Sequence, residues 1–486
     1  MRGLVNQGGG GYIQKDFTPP PPVTNFTATE GNAQVVLNWV NPIDTDFVGL
    51  KILRQIGAYP TSVTDGILVY TGANTSYTDT TVINGTTYYY RAFSFDWDSN
   101  YNITVQQATA TPFVPPVFVI YGVKIDTTNS NPATALTYTD DAVGLTPATG
   151  NNGAFNYGSW ADKFPFNQIK PCLYKLGAVN YYLNPNNYAQ KIDGVTASDI
   201  TSGNDGDVMV EFPKIWWKFE TIGTDLYVRY ADAQVDSGYK CLAHMRGITE
   251  KDKCYISSYL GYDLTSKLRS LSGKTPTSTQ TIGAFRTLAQ ASGVGYDQMA
   301  YFQLLMLQVL FTVMFKNRDS QTALGRGYVD TNAAKINTGG TNAKGMFYGE
   351  TTGKLQNKFC GIEDFWGNLR YWIDGFFSSD AWHMLIANQS FNDTGSGYAD
   401  YGQGVTANLS GYISTVQGGT ETGFVVKATA GSATTFYPDY GLLYASAMPS
   451  FGGFWAFADD AGAFYLNAAY PAASSTATVG ARIMSL

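Results

Sequence analysis

The side chains able to bind a metal or act as nucleophiles are few and widely spaced. The histidines are His244 and His383, and the four cysteines, which have no Cys-x-x-Cys spacing, are Cys172, Cys241, Cys254 and Cys360. This spacing predicts free, buried thiols and neither a zinc ribbon nor a disulfide framework. His244 lies between two of the cysteines, but three soft ligands at irregular spacing make a poor zinc site.

Neighbouring carboxylates indicate a second chemistry, glycan hydrolysis, which needs two positioned carboxyl groups. The pairs Glu363/Asp364 and Asp459/Asp460 are candidates, although acidic neighbours are more often solvated loop residues or caps. The loop from Asn204 to Asp207 supplies too few oxygen ligands to hold calcium by itself. We therefore predict no catalytic residue, no metal ligand and no cofactor, with a bound calcium ion as the open alternative.

Composition limits the classes of function. The 486 residues carry a net charge of -7, with 34 tyrosines and only 14% charged residues. This length predicts two or three domains, and the absence of a basic run argues against a nucleic-acid partner or membrane insertion. A surface rich in Tyr, Asn, Ser, Thr and Gly is typical of extracellular β proteins and adaptable binding surfaces. The N-terminal residues include no apolar segment of the length of a secretory signal.

In the stretch from about Met448 to Arg482, the residues at the two ends predict a defined backbone structure, whereas the residues between them follow no regular pattern. It begins with Gly452-Gly453 and ends with Gly480-Ala481-Arg482, and between them aromatic, small and acidic residues follow no helical period. Glycines allow tight turns, and an arginine fork can anchor the last strand. The pattern predicts two short strands joined by an irregular, exposed segment.

This stretch resembles the C-terminal variable region of the tropism determinants, phage receptor-binding proteins with a C-type-lectin fold that a retroelement diversifies. The resemblance implies twelve receptor-contacting positions: Phe454, Ala456, Phe457, Ala458, Asp460, Asn467, Ala469, Tyr470, Ser474, Thr476, Thr478 and Val479. None of them is Lys, Glu, Gln, Met or Trp, which agrees with adenine mutagenesis of AAC codons. The alternative is an ordinary aromatic-rich hairpin packed in the core.

A second motif, Gly361–Asp374, resembles the G-x-x-D-M-x-GNVWEW signature of the formylglycine-generating-enzyme type of the same fold. It implies a turn at Gly367-Asn368 and core positions for Trp366 and Trp372. The copper chemistry of that family needs paired cysteines near the final strands, and its iron chemistry needs clustered histidines. Neither set occurs in this sequence, which predicts a binding protein and not an enzyme.

The predicted fold class is multidomain, an all-β fibronectin type III-like sandwich followed by a large α+β C-type-lectin-like domain. The predicted segments are an N-terminal arm (1–18), the sandwich (19–112), a linker and β-rich lead-in (113–153) and the receptor-binding domain (154–486). Short alternating strands predict the sandwich of about seven strands, with Trp39, Ile52 and Tyr90 facing inward. The glycine-rich arm is predicted to be flexible or ordered by a neighbouring subunit.

Two further elements are predicted in the large domain. Asp207–Phe219 alternates as a strand that Pro213 should confine to a sheet edge or a bulge. Asp297–Lys316 reads as a buried core helix with Asp297 as its N-cap, because it is too short and too polar for a membrane span.

Together these features predict a tail-fibre or tail-tip protein of a phage virion, assembled in the host cytoplasm. Its C-terminal domain would attach to a protein or glycan receptor on a bacterial surface, and its N-terminal region would contact other tail or baseplate proteins. The resemblance also implies a homotrimer. The alternatives are a glycan-cleaving tail depolymerase and a bacterial surface adhesin.

Overall fold

The structure is a computed structural model that describes residues 2–6, 12–104 and 106–486. The chain divides into two compact units, Met1–Val117 and Phe118–Leu486. Both consist mostly of β-strands in several sheets, and helices are few. The predicted β-rich chain is therefore confirmed in this coarse form, and the second unit, predicted as α+β, is mostly β with three α-helices.

The described residues of the first unit form nine strands. They are β1 (Arg2–Asn6), β2 (Tyr12–Asp16), β3 (Thr24–Gly31), β4 (Gln34–Val40), β5 (Phe47–Ile56), β6 (Ile67–Gly72), β7 (Ser76–Asp79), β8 (Tyr88–Asp96) and β9 (Gln106–Ala110). β1 and β2 pair antiparallel with each other. The glycine run of the predicted arm lies outside the described residues.

The remaining seven strands form two antiparallel sheets, β3-β4-β7 and β6-β5-β8-β9. Because side chains alternate across a strand, one face of each sheet supplies a shared core. Trp39, Ile52 and Tyr90 are at most 3% exposed, which confirms their predicted inward positions. A buried ion pair, Arg54 to Asp79 at 2.5 Å, joins the two sheets.

The second unit contains thirty strands, three α-helices and two short 3-10 turns. The first fifteen strands are β10 (Ile120–Asp126), β11 (Leu136–Asp140), β12 (Thr149–Asn151), β13 (Ala154–Asn156), β14 (Lys170–Lys175), β15 (Ala178–Asn184), β16 (Asn187–Lys191), β17 (Asp207–Pro213), β18 (Trp216–Ile222), β19 (Asp225–Ala231), β20 (Met245–Arg246), β21 (Thr249–Glu250), β22 (Lys253–Ser257), β23 (Tyr262–Asp263) and β24 (Leu268–Arg269). The rest are β25 (Tyr296–Gln298), β26 (Lys358–Phe359), β27 (Ile362–Glu363), β28 (Arg370–Trp372), β29 (Phe376–Ser378), β30 (His383–Ile386), β31 (Ala399–Gln403), β32 (Leu409–Tyr412), β33 (Thr415–Val416), β34 (Val426–Ala428), β35 (Tyr440–Leu443), β36 (Met448–Phe451), β37 (Leu466–Tyr470), β38 (Val479–Gly480) and β39 (Ile483–Ser485). The helices are α1 (Ile282–Gln290), α2 (Tyr301–Phe315) and α3 (Ser320–Ala323), and the 3-10 turns are Leu242–His244 and Ala458–Asp460.

The largest sheet has the order β16-β15-β14-β17-β22-β39-β25. β17 lies in its interior between β14 and β22, so the prediction of an edge or bulge for Pro213 is wrong. The proline is tolerated because it is the last residue of the strand. The segment predicted as linker and β-rich lead-in contributes β10 and β11 to a separate four-stranded sheet, β11-β10-β19-β18.

The helix α2 is the apolar centre of the second unit. All fifteen of its residues are buried, which confirms a core helix. Its N-cap is Ala300, so the prediction of Asp297 as cap is wrong. Asp297 instead lies in β25, where its carboxylate pairs with Arg246. Within the described residues, no helix has the length and apolar character needed to cross a membrane.

A six-stranded sheet has the order β32-β35-β37-β36-β28-β38. It contains strands from the Gly361–Asp374 motif and from the stretch Met448–Arg482. β28 follows the Gly367-Asn368 turn, whose φ angles of +82° and +55° confirm the predicted tight turn. Trp366 and Trp372 are fully buried, as predicted. In this sheet β28 pairs with β36 on one side and with β38 on the other, and β37 pairs with the far side of β36.

Candidate functional site

The loop after β36 begins with a sharp turn that only glycine permits without strain. Gly452 and Gly453 have φ angles of +97° and +75°. A Cβ atom on Gly453 would lie 2.5 Å from the Cβ of Ala461, so the two sides of the loop touch at this point. The close approach fixes where the loop leaves the sheet.

The main chain of this loop is held by side chains and main-chain groups of other segments. Nε2 of Gln321 donates to the carbonyls of Ala458 and Ala461 at 2.8 and 2.7 Å. The amide of Trp455 donates to the Asn368 carbonyl at 3.2 Å. Because these bonds end on backbone atoms of the loop, they do not depend on which side chains the loop carries.

The inner half of the loop is locked into the core at Gly462. A Cβ atom there would lie 2.2 Å from both Oδ1 of Asp439 and Oγ of Ser320. The Asp439 carboxyl accepts the amide of Phe464 at 2.6 Å and the Ser320 hydroxyl at 3.2 Å. Burial raises the pKa of Asp439 well above its ordinary value.

Arg482 anchors the segment that follows β38. It is fully buried, and Nη2 donates to the carbonyls of Glu363 and Asp364, the latter at 2.7 Å. Its guanidinium also lies 4.7 Å from the ring centre of Tyr371. The predicted anchoring role of this arginine is confirmed.

Ten of the twelve predicted contact residues have exposed surface. Ala456 and Ala458 are exposed, and partial exposure is found for Phe454, Phe457, Asp460, Ala469, Tyr470, Ser474, Thr476 and Thr478. We call these ten side chains the binding face.

The other two predicted positions are buried, so the prediction that their side chains face outward is wrong. Asn467 lies in β37 between β35 and β36, and its Nδ2 donates to the Tyr465 hydroxyl at 3.1 Å. Val479 pairs with Arg370 and packs in a core cluster with Trp372. The predicted exposed segment is also shorter than expected, since residues 461–468 are all buried.

Arg370, which the sequence analysis did not single out, brings four predicted residues together. Its guanidinium carbon lies 5.2, 5.4 and 5.2 Å from the ring centres of Phe454, Phe457 and Tyr470. Nη2 donates to Oγ1 of Thr478 at 2.7 Å, and Nη1 to the Tyr470 hydroxyl at 3.3 Å. The sequence does mark this residue, because Arg370 is the one charged residue in the otherwise apolar run Leu369–Ile373.

The candidate catalytic pair Glu363/Asp364 is sealed in the interior. Both residues are 1% exposed. Glu363 accepts the amides of Gly339 and Thr341, and Asp364 accepts the side-chain amide of Asn368 at 2.8 Å. Burial and the neighbouring Glu363 raise the pKa of Asp364 to about 8. A glycan cannot reach these carboxyl groups, which brace the motif loop instead.

The second carboxylate pair lies on the loop itself. Asp459 is exposed and forms an ion pair with Arg326 at 2.7 Å. Burial raises the pKa of its neighbour Asp460, which bonds to the Tyr412 hydroxyl. Both acids therefore have partners that help to fix the loop.

The loop considered for calcium directs its oxygens to protein donors. Asp207 is buried and pairs with Arg269 at 2.8 Å, while Asp205 accepts the Tyr181 hydroxyl at 2.6 Å. Over the described part of the chain, no group of three or more His, Cys, Asp or Glu side chains is arranged to hold a metal ion. The four cysteines are free and buried, which confirms that prediction.

No protein-family model matches the sequence, and no curated protein matches it.

Proposed function

We propose that this chain is a receptor-binding protein of a phage tail fibre or tail tip. The observation that carries the proposal is how the loop from Gly452 to Ala461 is held. Other segments grip its backbone carbonyls and amides, while the side chains of the binding face keep exposed surface. Such a loop can exchange its side chains without losing its shape, which is what a diversified recognition surface needs.

The Gly361–Asp374 motif and the stretch from Met448 to Arg482 support a C-type-lectin-like fold for the second unit. They lie on neighbouring strands of one sheet, with β28 between β36 and β38. The glycine turns and Arg482 perform the fixing roles that the resemblance implies. On this proposal the retroelement-diversified region extends from about residue 448 to residue 482.

The first unit suits a spacer of fibronectin type III-like topology. Its strand orders, β3-β4-β7 and β6-β5-β8-β9, give the three-plus-four arrangement of such a sandwich. We propose that it separates the binding unit from the virion, and that the N-terminal region attaches to other tail or baseplate proteins.

The chemistry of the binding face suits a protein or glycan receptor on a bacterial surface. Phe454, Phe457 and Tyr470 offer rigid aromatic contact area, and Ser474 and Thr476 offer hydroxyl groups for orientation. A homotrimer would present three such faces and strengthen a weak single-site affinity through avidity.

Binding to whole bacteria tests the proposal. The fluorescently labelled full chain is incubated with a panel of bacterial strains, and cell-bound fluorescence is measured. We expect one strain or a narrow group to bind, Ala456→Glu to reduce binding at least about tenfold, as for a truncated or charged hot-spot contact, and Ala178→Glu to leave it unchanged. Both alanines are exposed, so the second variant controls for added surface charge.

Two results would contradict the proposal. One is the absence of binding to any strain, and the other is equal loss of binding in the two glutamate variants. Release of soluble sugar from purified envelope would instead support the depolymerase alternative. A reverse-transcriptase gene beside this gene, with a near-copy of the last hundred or so bases, would establish diversification.

A further inference from the structure

Arg370 is a buried cation that has no ion-pair partner among the residues that the structure describes. The residue is 3% exposed, and its Nε has no hydrogen-bond partner. Among the described residues, no carboxylate oxygen lies within 4.0 Å of its guanidinium, whereas Arg269 and Arg286 pair with Asp207 and Asp374. A buried charge is unfavourable unless surrounding groups compensate it.

The compensation comes from neutral side chains, most of which belong to the binding face. Three aromatic rings present themselves to the guanidinium at 5.2–5.4 Å, and cation–π attraction strengthens when the cation is removed from water. Its guanidinium donates to the hydroxyls of Tyr470 and Thr478, and it also interacts with the buried Tyr465 hydroxyl. The cation therefore depends on what positions 454, 457, 470 and 478 supply.

We infer that Arg370 determines which side chains this face can carry. Positions 454, 457, 470 and 478 accept residues that offer an aromatic ring, a hydrogen-bond acceptor or a negative charge, and they exclude lysine and arginine. A second cation there would face an uncompensated charge in a poorly solvated site, where Coulomb repulsion is strong. Arg370 is thus a positioning and selectivity residue beneath the face.

The inference divides the twelve predicted positions into three groups. Asn467 and Val479 are buried and belong to the framework. The four positions around Arg370 are restricted in charge. The remaining six form no hydrogen bond, ion pair or ring contact with Arg370 in the described structure, so this cation does not restrict their side chains: Ala456, Ala458, Asp460, Ala469, Ser474 and Thr476.

The meaning of this restriction for receptor choice rests on the proposed function, but the restriction itself concerns folding. The test introduces Lys, Met or Glu at position 470 of the full chain, in the natural and the Arg370→Met background. Met matches Lys in length and lacks its charge. Urea unfolding is followed by tryptophan fluorescence, which reports on the second unit through buried Trp160, Trp217, Trp366 and Trp372.

In the natural background we expect Tyr470→Lys to raise the unfolding equilibrium constant on the order of 100-fold over Tyr470→Met, and Tyr470→Glu to be at least as stable as Tyr470→Met. In the Arg370→Met background the difference between Lys and Met should vanish. Equal penalties for Lys in the two backgrounds would overturn the inference.

A second set of variants keeps the test decisive if Arg370→Met does not fold. Phe457→Lys is compared with Phe457→Met, and Ala456→Lys with Ala456→Met, all with Arg370 present. A lysine penalty at 457 and none at 456 is expected, while equal effects at both positions would refute the selectivity role. Because these measurements report folding, they can fail while cell binding succeeds, and the reverse.

Discussion

Two phenylalanines of the same loop should respond very differently to the same truncation. Phe464 is fully buried, with ring centres of Phe424 and Tyr437 at 5.0 and 5.1 Å. Phe457 is partly exposed and touches Phe454 at 4.3 Å, with the Arg370 guanidinium at 5.4 Å. If the loop is a framework that carries a separable face, only the first ring contributes substantially to stability.

The magnitudes follow from burial. Phe464→Ala removes a whole ring from a packed cluster and should lower the free energy of unfolding by about 3–5 kcal/mol. Phe457→Ala loses part of a ring's burial and one cation–π contact, which should total about 1–2 kcal/mol. Both variants make the same change to the unfolded chain, so the difference of about 1–4 kcal/mol belongs to the folded state.

Equilibrium urea unfolding of the full chain measures both values, and near-ultraviolet circular dichroism confirms that each variant starts from the native fold. Cell binding is measured on the same samples. We expect Phe457→Ala to lose binding while it stays folded, and Phe464→Ala to lose stability. If the two truncations lowered stability equally, Phe457 would belong to the core, and the separation of face from framework would be refuted.

Three further outcomes follow from the interior. Burial lowers the pKa of His244 to about 4, so the folded state keeps it neutral while the unfolded state binds a proton below about pH 6.5. Stability contributed in this way is present above pH 6.5 and is lost as the pH falls to 4. The loss is about 3 kcal/mol, and His244→Gln should remove it in urea titrations at pH 7 and pH 4. Gly462→Ala should lower the unfolding midpoint strongly, because its Cβ would lie 2.2 Å from Asp439 and Ser320. The control Gly404→Ala should lower it much less, because its Cβ would meet the flexible side chains of Met384 and Gln417 at 3.2 and 3.3 Å. The four buried thiols should stay unreactive toward a colorimetric disulfide reagent until urea unfolds the second unit, and fast labelling of the native protein would contradict their burial.

The local features of the fold could be predicted from the sequence. Alternation placed Trp39 and Tyr90 inside the first unit, and the glycine-asparagine pair marked the turn before β28. The apolar run of α2 predicts a buried helix, but the predicted start at Asp297 is too early. Asp297 lies in β25, which pairs with β39, so the helix begins after it. Local sequence patterns therefore predicted individual strands, turns and helices.

The candidate site depended on pairings that no local pattern contains. Asn467 is polar and is predicted to face outward. In the structure it lies in β37, an interior strand between β35 and β36, and its side chain is buried. Arg370 became central because β28 lies beside β38, more than a hundred residues later in the chain. Exposure at such positions is decided by which strands meet, and side-chain type alone does not report it.

The position of β39 makes folding of the second unit depend on the last residues of the chain. This strand fills the gap between β22 and β25 in the largest sheet, and everything encoded for the binding face precedes it. Any truncation before Ile483 would delete the strand and leave β22 and β25 without their shared partner, and unpaired β edges promote aggregation. Truncated chains would thus fail during folding, whereas single amino-acid exchanges at the exposed positions among residues 454–478 would leave β39 in place.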